Sequence, residues 1–423
     1  MRFKFNFKIL KEKRWLIILL LILALHVFLR FFQTEVYSLF GWDQVDNAWA
    51  AKNIIVEHRL PLYGMQAKGS TGFYIGPYYY FLIAPFYFFS GLDPIASSIF
   101  AGMVSVFTFF VIYFISKSIF SQRVAIFSVF IYTVSLFGIS FDRVQWPVNF
   151  IIPVSAIIFY SIYKIITGNE KYILLLAGGV GFMFHIHFTA VFFPIMILLS
   201  LPFFPRNKST LKYFLYTIPI LLFFLGPIVV AYTTKGGSSG KNMLAYISTY
   251  YHGFHLRRML QLTSDAFIEF EGILYFKFLK YVGWVMIPIF SVVYFFKGGQ
   301  KSKFKLLYLT IIWFLVPWVV LSVYKGEISN YYFSATVPVA LVILGYLIDR
   351  IFFLNKIVIS AVVVLSLLFY SYINIQKYFS DKPKSLVNSR QYVKEQIQRE
   401  IIVEFQEGVP ESYLYYIYTR KEK

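Results

Sequence analysis

Cysteine is absent from all 423 residues. That excludes disulfide frameworks, thiolate metal sites, cysteine nucleophiles and S-palmitoylation, while leaving the compartment open. Charge is nearly as sparse: 14% of residues are Asp, Glu, Lys or Arg, against 58% hydrophobic, far outside the soluble average. A cytoplasmic enzyme and a secreted domain are both excluded. Acidic side chains are the scarcer charge, 20 against 40 Lys and Arg. The resulting +20 would suit nucleic acid, but the cations fall mainly in short loops between apolar runs, which is the pattern of topology signals, so nucleic acid is not needed to explain them.

What is present is a succession of apolar runs rich in Phe and Tyr. The chain opens with Arg2, Lys4, Lys8, Lys11, Lys13 and Arg14, followed by an apolar run from Trp15 to Leu29. No small-residue cleavage site follows, so the run is expected to be a retained anchor with its N-terminus in the cytoplasm. Further spans of bilayer length lie at about 94–116, 124–140, 148–166, 172–186, 188–204, 212–232, 278–296, 305–324, 331–348 and 356–373. The expectation is an all-α integral membrane protein of about eleven transmembrane helices.

Residues 73–90 (FYIGPYYYFLIAPFYFFS) are left out of that count, and they decide the topology downstream. Counted as a crossing, they would put Lys117 and Arg123, the Arg206/Lys208/Lys212 cluster and the Lys297/Lys301/Lys303/Lys305 cluster outside, against the positive-inside rule. Read as an interfacial or shallow re-entrant element, they put all three clusters in the cytoplasm. Gly76-Pro77 and Pro85 are expected to break this stretch into pieces, and its tyrosines favour the headgroup zone. An ordinary broken transmembrane helix is the alternative. With the first choice, the external segments are 34–93, 141–147, the turn 184–187, 233–277, 325–330 and a tail from about 374. The chain then divides into a membrane domain, 1–373, and a short extracytoplasmic tail, 374–423, read as a small soluble appendage or surface-lying helix.

Nearly all the unusual polar residues fall in those external segments. Asp43 and Asp46 follow the first span on an amphipathic pattern from about Gln44 to Val56. A carboxylate at a low-dielectric boundary can have a raised pKa and accept a proton from an attacking hydroxyl, although Asp43 also suits a plain helix N-cap. Asp142, Arg143 and Asn149 stand at the outer end of the third span; Arg143 could fork onto phosphate, or anchor at the interface paired with Asp142. His185 and His187 diverge at i and i+2 on a helix, which favours hydrogen-bonding histidines over a metal pair. The loop 233–277 holds KGGSSGK, ending at Lys241, then HGFHLRR with Arg257 and Arg258, then Asp265, Glu269 and Glu271. The glycine run fails as a phosphate loop because Asn242 stands where Ser or Thr is required. Lys325 and Glu327 mark another outer helix end.

The series GWDQVDNAWAAKNI, PLYG, GFYIGPYYYFLIAPFYFFSGLDP, FDRVQWPVNF and GGVGFMFHIHFTA resembles bacterial membrane glycosyltransferases of the GT-C superfold, glycosyltransferase family 39 and its relatives, the branch of protein O-mannosyltransferases and the lipid A aminoarabinose transferase. The resemblance covers about residues 36–200, and the rest by layout. It implies a GT-C bundle with juxtamembrane helices in the first external loop. It also implies a transferase that takes a hexosyl or pentosyl group from a polyprenyl-phosphate donor and passes it to a protein, lipid or glycan acceptor outside the cell membrane. Asp43 occupies the family's acidic position after the first span. The Asp-Glu pair common there is Asp43-Gln44 here, and Asn149 stands near where aminoarabinose-type relatives carry a second Asp. The mechanism this implies has Asp43, with Asp46 or Asp142 as further candidate acids, activating the acceptor. Arg143, Lys241, Arg257 and Arg258 would stabilise the leaving phosphate, and His187, Glu327 and Asn149 would position substrate. No cofactor is identified; a divalent metal is compatible with the wider superfold, but the sequence offers no convincing ligand set. A lipid-linked oligosaccharide polymerase or ligase is the alternative within enzymes, and a polyprenyl-lipid flippase or sugar transporter the alternative outside them.

Overall fold

The computed structural model describes residues 7–66, 72–234, 238–251, 253–265, 282–295, 301–352, 354, 357–380 and 385–420. Arg2, Lys4, Glu269, Glu271 and Lys297 lie outside these, as do the glycines at 236 and 237 and the ends of the expected 278–296 span. The described residues are nearly all helical, with two isolated β-bridges and no strand. Each of the eleven apolar runs carries helix. Among the described residues six helices are long and apolar enough to cross a bilayer, or seven if one bent pair is a single span.

In chain order, α1 (Phe7–Phe31) leads to α2 (Thr34–Tyr37) and α3 (Trp42–Val56) of the first loop. α4 (Tyr78–Phe89) follows, then α5 (Ile95–Ile119), α6 (Gln122–Val134) and α7 (Leu136–Asp142). A 3₁₀ turn, Pro147–Phe150, opens α8 (Ile151–Ile166); α9 (Tyr172–Met183), α10 (Phe192–Ser200) and α11 (Lys208–Thr234) come next. Beyond them are α12 (Ser238–Tyr250), α13 (Leu256–Asp265), α14 (Val282–Phe295), α15 (Lys301–Ser322) and α16 (Val337–Phe352). α17 (Ile357–Ser380) is the last long apolar helix, and α18 (Ser385–Gln398) and α19 (Pro410–Thr419) form the tail.

α5, α6, α8 and α16 make the centre, and small residues let their backbones approach. At Gly345 of α16 a Cβ would meet Ser128 and the Val124 carbonyl of α6, so only glycine fits that crossing. α1, α11 and α17 instead turn Leu16, Leu20, Leu222, Phe223, Leu365 and Phe369 outward, the all-round apolar surface expected against lipid.

The expected span 124–140 is not straight: α6 and α7 meet at 65°. Ser135 makes the break, extended at ψ 141° with its hydroxyl accepting from Gly138 N at 3.0 Å, which starts α7 anew. The break frees the Tyr132 and Thr133 carbonyls, and Arg30 of α1 donates to both. Arg143, just past α7, returns the arrangement by donating to the Leu29 and Phe32 carbonyls at the end of α1, at 2.7 and 2.8 Å. Residues 73–90 form one continuous helix after Pro77, with Pro85 accommodated inside it rather than breaking it. At 12 residues α4 is about 18 Å long, too short for a hydrocarbon core of about 30 Å.

The loops segregate to two ends. At one, Lys305 reaches the Ile166 carbonyl, Asn207 pairs with Glu170, Ser118 bonds Tyr160 and Arg123 pairs with Asp349. At the other, the segments read as external touch one another: Tyr78 stacks on His185 at 4.1 Å, Tyr74 bonds Tyr232, Tyr251 bridges Tyr324, and Tyr413 of the tail bonds the Leu92 carbonyl.

Candidate active site

α3 starts from Gly41, whose amide is taken by the Gln44 side chain at 3.0 Å, so Asp43 falls in the first turn without acting as the cap itself. The Asn47 amide donates to the Asp43 backbone carbonyl and Gln44 Nε2 to the Gln145 carbonyl at 2.6 Å, tying this turn to the chain after α7. The chain from 57 to 66 then runs back against 74–76, with Gly64 N donating to Ile75 O at 2.7 Å and Ile75 N to Met65 O at 3.1 Å. Between α3 and this doubled segment lies a cavity of about 700 Å³.

Asp43 and Asp46 line it together with Arg59, Tyr63, Tyr80 and Glu407. The Asp43 carboxylate has no hydrogen-bond or ion-pair partner among the described residues, and burial raises its pKa above the ordinary range for Asp. Asp46 accepts a hydrogen bond from Tyr80 Oη at 2.8 Å. Burial, then the charges of Asp43 and Glu407, raise its pKa against the lowering effect of that bond. The cavity therefore pairs an unengaged carboxylate with one held in place, both partly desolvated, which is the arrangement a general base requires.

A cluster of tyrosines joins the acids to the more distant candidates. Tyr331 lies within electrostatic range of Asp43 and Glu327, and its ring packs on Trp146 and His187 at 5.2 and 5.4 Å. Tyr332 and Tyr324 continue the cluster, and Arg258 beside Tyr324 donates to the Gly326 carbonyl at 3.1 Å. His187 caps the turn after α9, accepting from Thr189 N at 3.3 Å, and burial pushes its imidazole down to about 3, so it is neutral at physiological pH. His185 Nε2 donates to the Phe224 carbonyl at 2.7 Å and its Nδ1 accepts from Tyr78 N at 3.3 Å, docking α4 on α11. Lys241 and Arg257 are exposed on α12 and α13, and Asn242 lies against Gly72 beside the doubled segment.

Of the sequence candidates only Asp43 and Asp46 line the cavity, and three of the others are committed to structural bonds elsewhere. Asp142 is buried with both oxygens engaged: Oδ2 accepts from Arg30 at 2.8 and 3.0 Å and Oδ1 from Tyr132 at 2.7 Å. Its partner is Arg30, not Arg143. Arg143 is held on carbonyls and enclosed by the rings of Tyr37, Tyr378 and Phe379 at 5.3–5.7 Å. Asn149 closes its own turn, bonding Trp146 N and the Phe141 carbonyl, both at 2.9 Å. Four contributors have no place among the sequence candidates: Arg59, Tyr80, Tyr331 and Glu407. Arg30 is a fifth omission with a readable signal, since a lone cation at the end of an apolar span demands a partner.

The family model for dolichyl-phosphate-mannose-protein mannosyltransferase matches residues 75–232. No curated protein sequence matches the chain. Among solved structures, ArnT from Cupriavidus metallidurans in the apo state is similar at a TM-score of 0.65 and 11% identity, over 96% of this chain and 85% of that one. ArnT bound to undecaprenyl phosphate is similar at 0.60 and 10%, over 94% and 74%. The archaeal oligosaccharyltransferase AglB from Archaeoglobus fulgidus, in complex with an inhibitory peptide and a dolichol-phosphate, is similar at 0.57 and 13%, over 96% of this chain and 60% of that one. The chain thus has the helical membrane fold of the GT-C superfold, with the sequence pattern of a mannosyltransferase family across residues 75–232.

Proposed function

We propose that the chain is a membrane glycosyltransferase that moves a sugar from a polyprenyl phosphate to an acceptor hydroxyl at the extracytoplasmic face. The observation that carries this reading is the unengaged Asp43 carboxylate, in a cavity at the end of the bundle where the loops lacking the basic clusters converge. It stands in a fold shared with a protein whose structure holds undecaprenyl phosphate and another whose structure holds a dolichol-phosphate.

In this mechanism the acceptor O–H gives its proton to Asp43 while its oxygen attacks the anomeric carbon. The bond from that carbon to the phosphate oxygen breaks, and the lipid phosphate departs with the electron pair. Asp46, held by Tyr80, orients the acceptor. Arg258, with Lys241 and Arg257 as further exposed cations, meets the charge that builds on the phosphate. Arg143 is already committed to carbonyls, so it is not assigned that task.

The test supplies the purified chain in lipid nanodiscs with a panel of radiolabelled polyprenyl-phosphate sugars and a membrane extract. The reading predicts that one label leaves the prenyl fraction for an acceptor. Retention of every label there, or label merely crossing the bilayer in proteoliposomes, would favour a flippase instead.

A further inference from the structure

The tail after α17 is built into the first loop. Arg390 of α18 reaches Glu35 of α2 at 2.7 Å and Asp93 before α5 at 2.5 Å. Ser385 donates to the Ser38 carbonyl at 2.7 Å, and Tyr413 of α19 to the Leu92 carbonyl at 3.0 Å. Trp49 of α3 is enclosed by Phe405, Tyr413 and Tyr416 at 5.1–5.7 Å.

The loop between α18 and α19 is held in one shape. Ser412 Oγ accepts from Gln406 N at 2.9 Å and donates to the Glu404 carbonyl at 3.2 Å. Gly408 is buried at φ +72°, with the Trp42 indole where a Cβ would sit. The loop thereby delivers Glu407 to the wall of the cavity that holds Asp43 and Asp46. Glu407 has no hydrogen-bond or ion-pair partner among the described residues, and its charge reaches Asp46.

The charge balance of this cavity decides which substrate it faces. Among the described residues three carboxylates line it, and the one lining cation, Arg59, is 79% exposed on its side chain and paired with Glu57 at 3.2 Å. Such a wall repels phosphate, whereas a carboxylate accepts hydrogen bonds from hydroxyls readily. The donor phosphate is therefore placed on the Arg258 side of Asp43, and the cavity side is left to the acceptor.

We propose that the tail is the acceptor wall of the site and that Glu407 binds hydroxyl groups of an uncharged, polyhydroxyl acceptor while rejecting an anionic one. This rests on the transferase reading above. In nanodiscs, with the donor found active, label transfer is measured to a short alkyl glucoside and to the matching alkyl glucuronide. Glu407→Gln should raise KM for the glucoside roughly tenfold, the loss expected for one hydrogen bond to a charged group, with kcat and donor KM unchanged. It should also improve the glucuronide relative to the glucoside, and Glu407→Asp should recover much of the loss. Gly408→Val, which pushes the loop off Trp42, should raise the same KM. Unchanged KM and unchanged discrimination in Glu407→Gln, a change in donor KM instead, or wild-type transfer to extract but to neither glycoside would overturn the proposal alone. Failure of the wild-type chain to move any label would instead bring down the transferase reading beneath it.

Discussion

Arg30 and Asp142 show how much a single buried charge pair does at one end of this bundle. Arg30 is 1% exposed and Asp142 4% exposed; Arg30 donates to the two carbonyls freed at the α6–α7 break, and Asp142 supplies its counter-charge. Asp142→Asn leaves a guanidinium buried without its counter-charge, an error worth about 3–5 kcal/mol, and thermal unfolding should register it as a large drop in Tm. Asp43→Asn removes a carboxylate that pairs with nothing, so its Tm should stay near wild type. Equal losses from the two substitutions would contradict the assignment of one acid to architecture and the other to chemistry. The same residues set the pH profile. A base works only when ionised, and burial raises the pKa of Asp43 and of Asp46, so the acid limb of kcat/KM should fall at a higher pH than for an ordinary aspartate. Tyr80→Phe removes the bond that lowers the Asp46 pKa, and any contribution of Asp46 to that limb should then move further upward. A limb at ordinary carboxylate pH would count against both acids.

Among the elements, the crossing of α6 and α16 depends on Gly345, where a side chain would strike both Ser128 and the backbone of α6. Gly345→Val should cost about 1–3 kcal/mol through overpacking, read as lowered Tm and a weaker yield of monodisperse protein in detergent. Wild-type behaviour would mean that the two helices separate easily. The apolar helices were legible because length and hydropathy alone specify them. The shortness of α4 was legible in part: Gly76-Pro77 does mark its start, but Pro85 does not end it, because a proline within a buried helix loses one hydrogen bond without necessarily ending the pattern. The 65° bend at Ser135 was hidden, since the carbonyls it frees are met by an arginine more than a hundred residues away. For the same reason the pairing of Asp142 with its neighbour Arg143 was a poor guide. The tail was the least legible part, because α18 and α19 are docked by contacts with residues 35–93, a separation that local pattern does not report. Glu407 enters the site by that route alone.

For the molecule as a whole, the segregation of loops to two ends turns topology into an accessibility measurement, and the absence of cysteine makes it clean. In intact cells, a membrane-impermeant thiol reagent should label Lys241→Cys and Glu407→Cys but not Ser121→Cys. Labelling of Ser121→Cys from outside would invert the bundle. The central claim is that Asp43 is the base of a sugar transfer from a prenyl-linked donor, and one comparison tests it most directly. Wild type and Asp43→Asn are reconstituted at equal amounts with the active labelled donor and membrane extract, and label reaching the acceptor is followed with time alongside donor binding. The account predicts that Asp43→Asn loses transfer by at least about a hundredfold, the lower range for removing a positioned base, while still binding donor. Transfer by Asp43→Asn at the wild-type rate would contradict it.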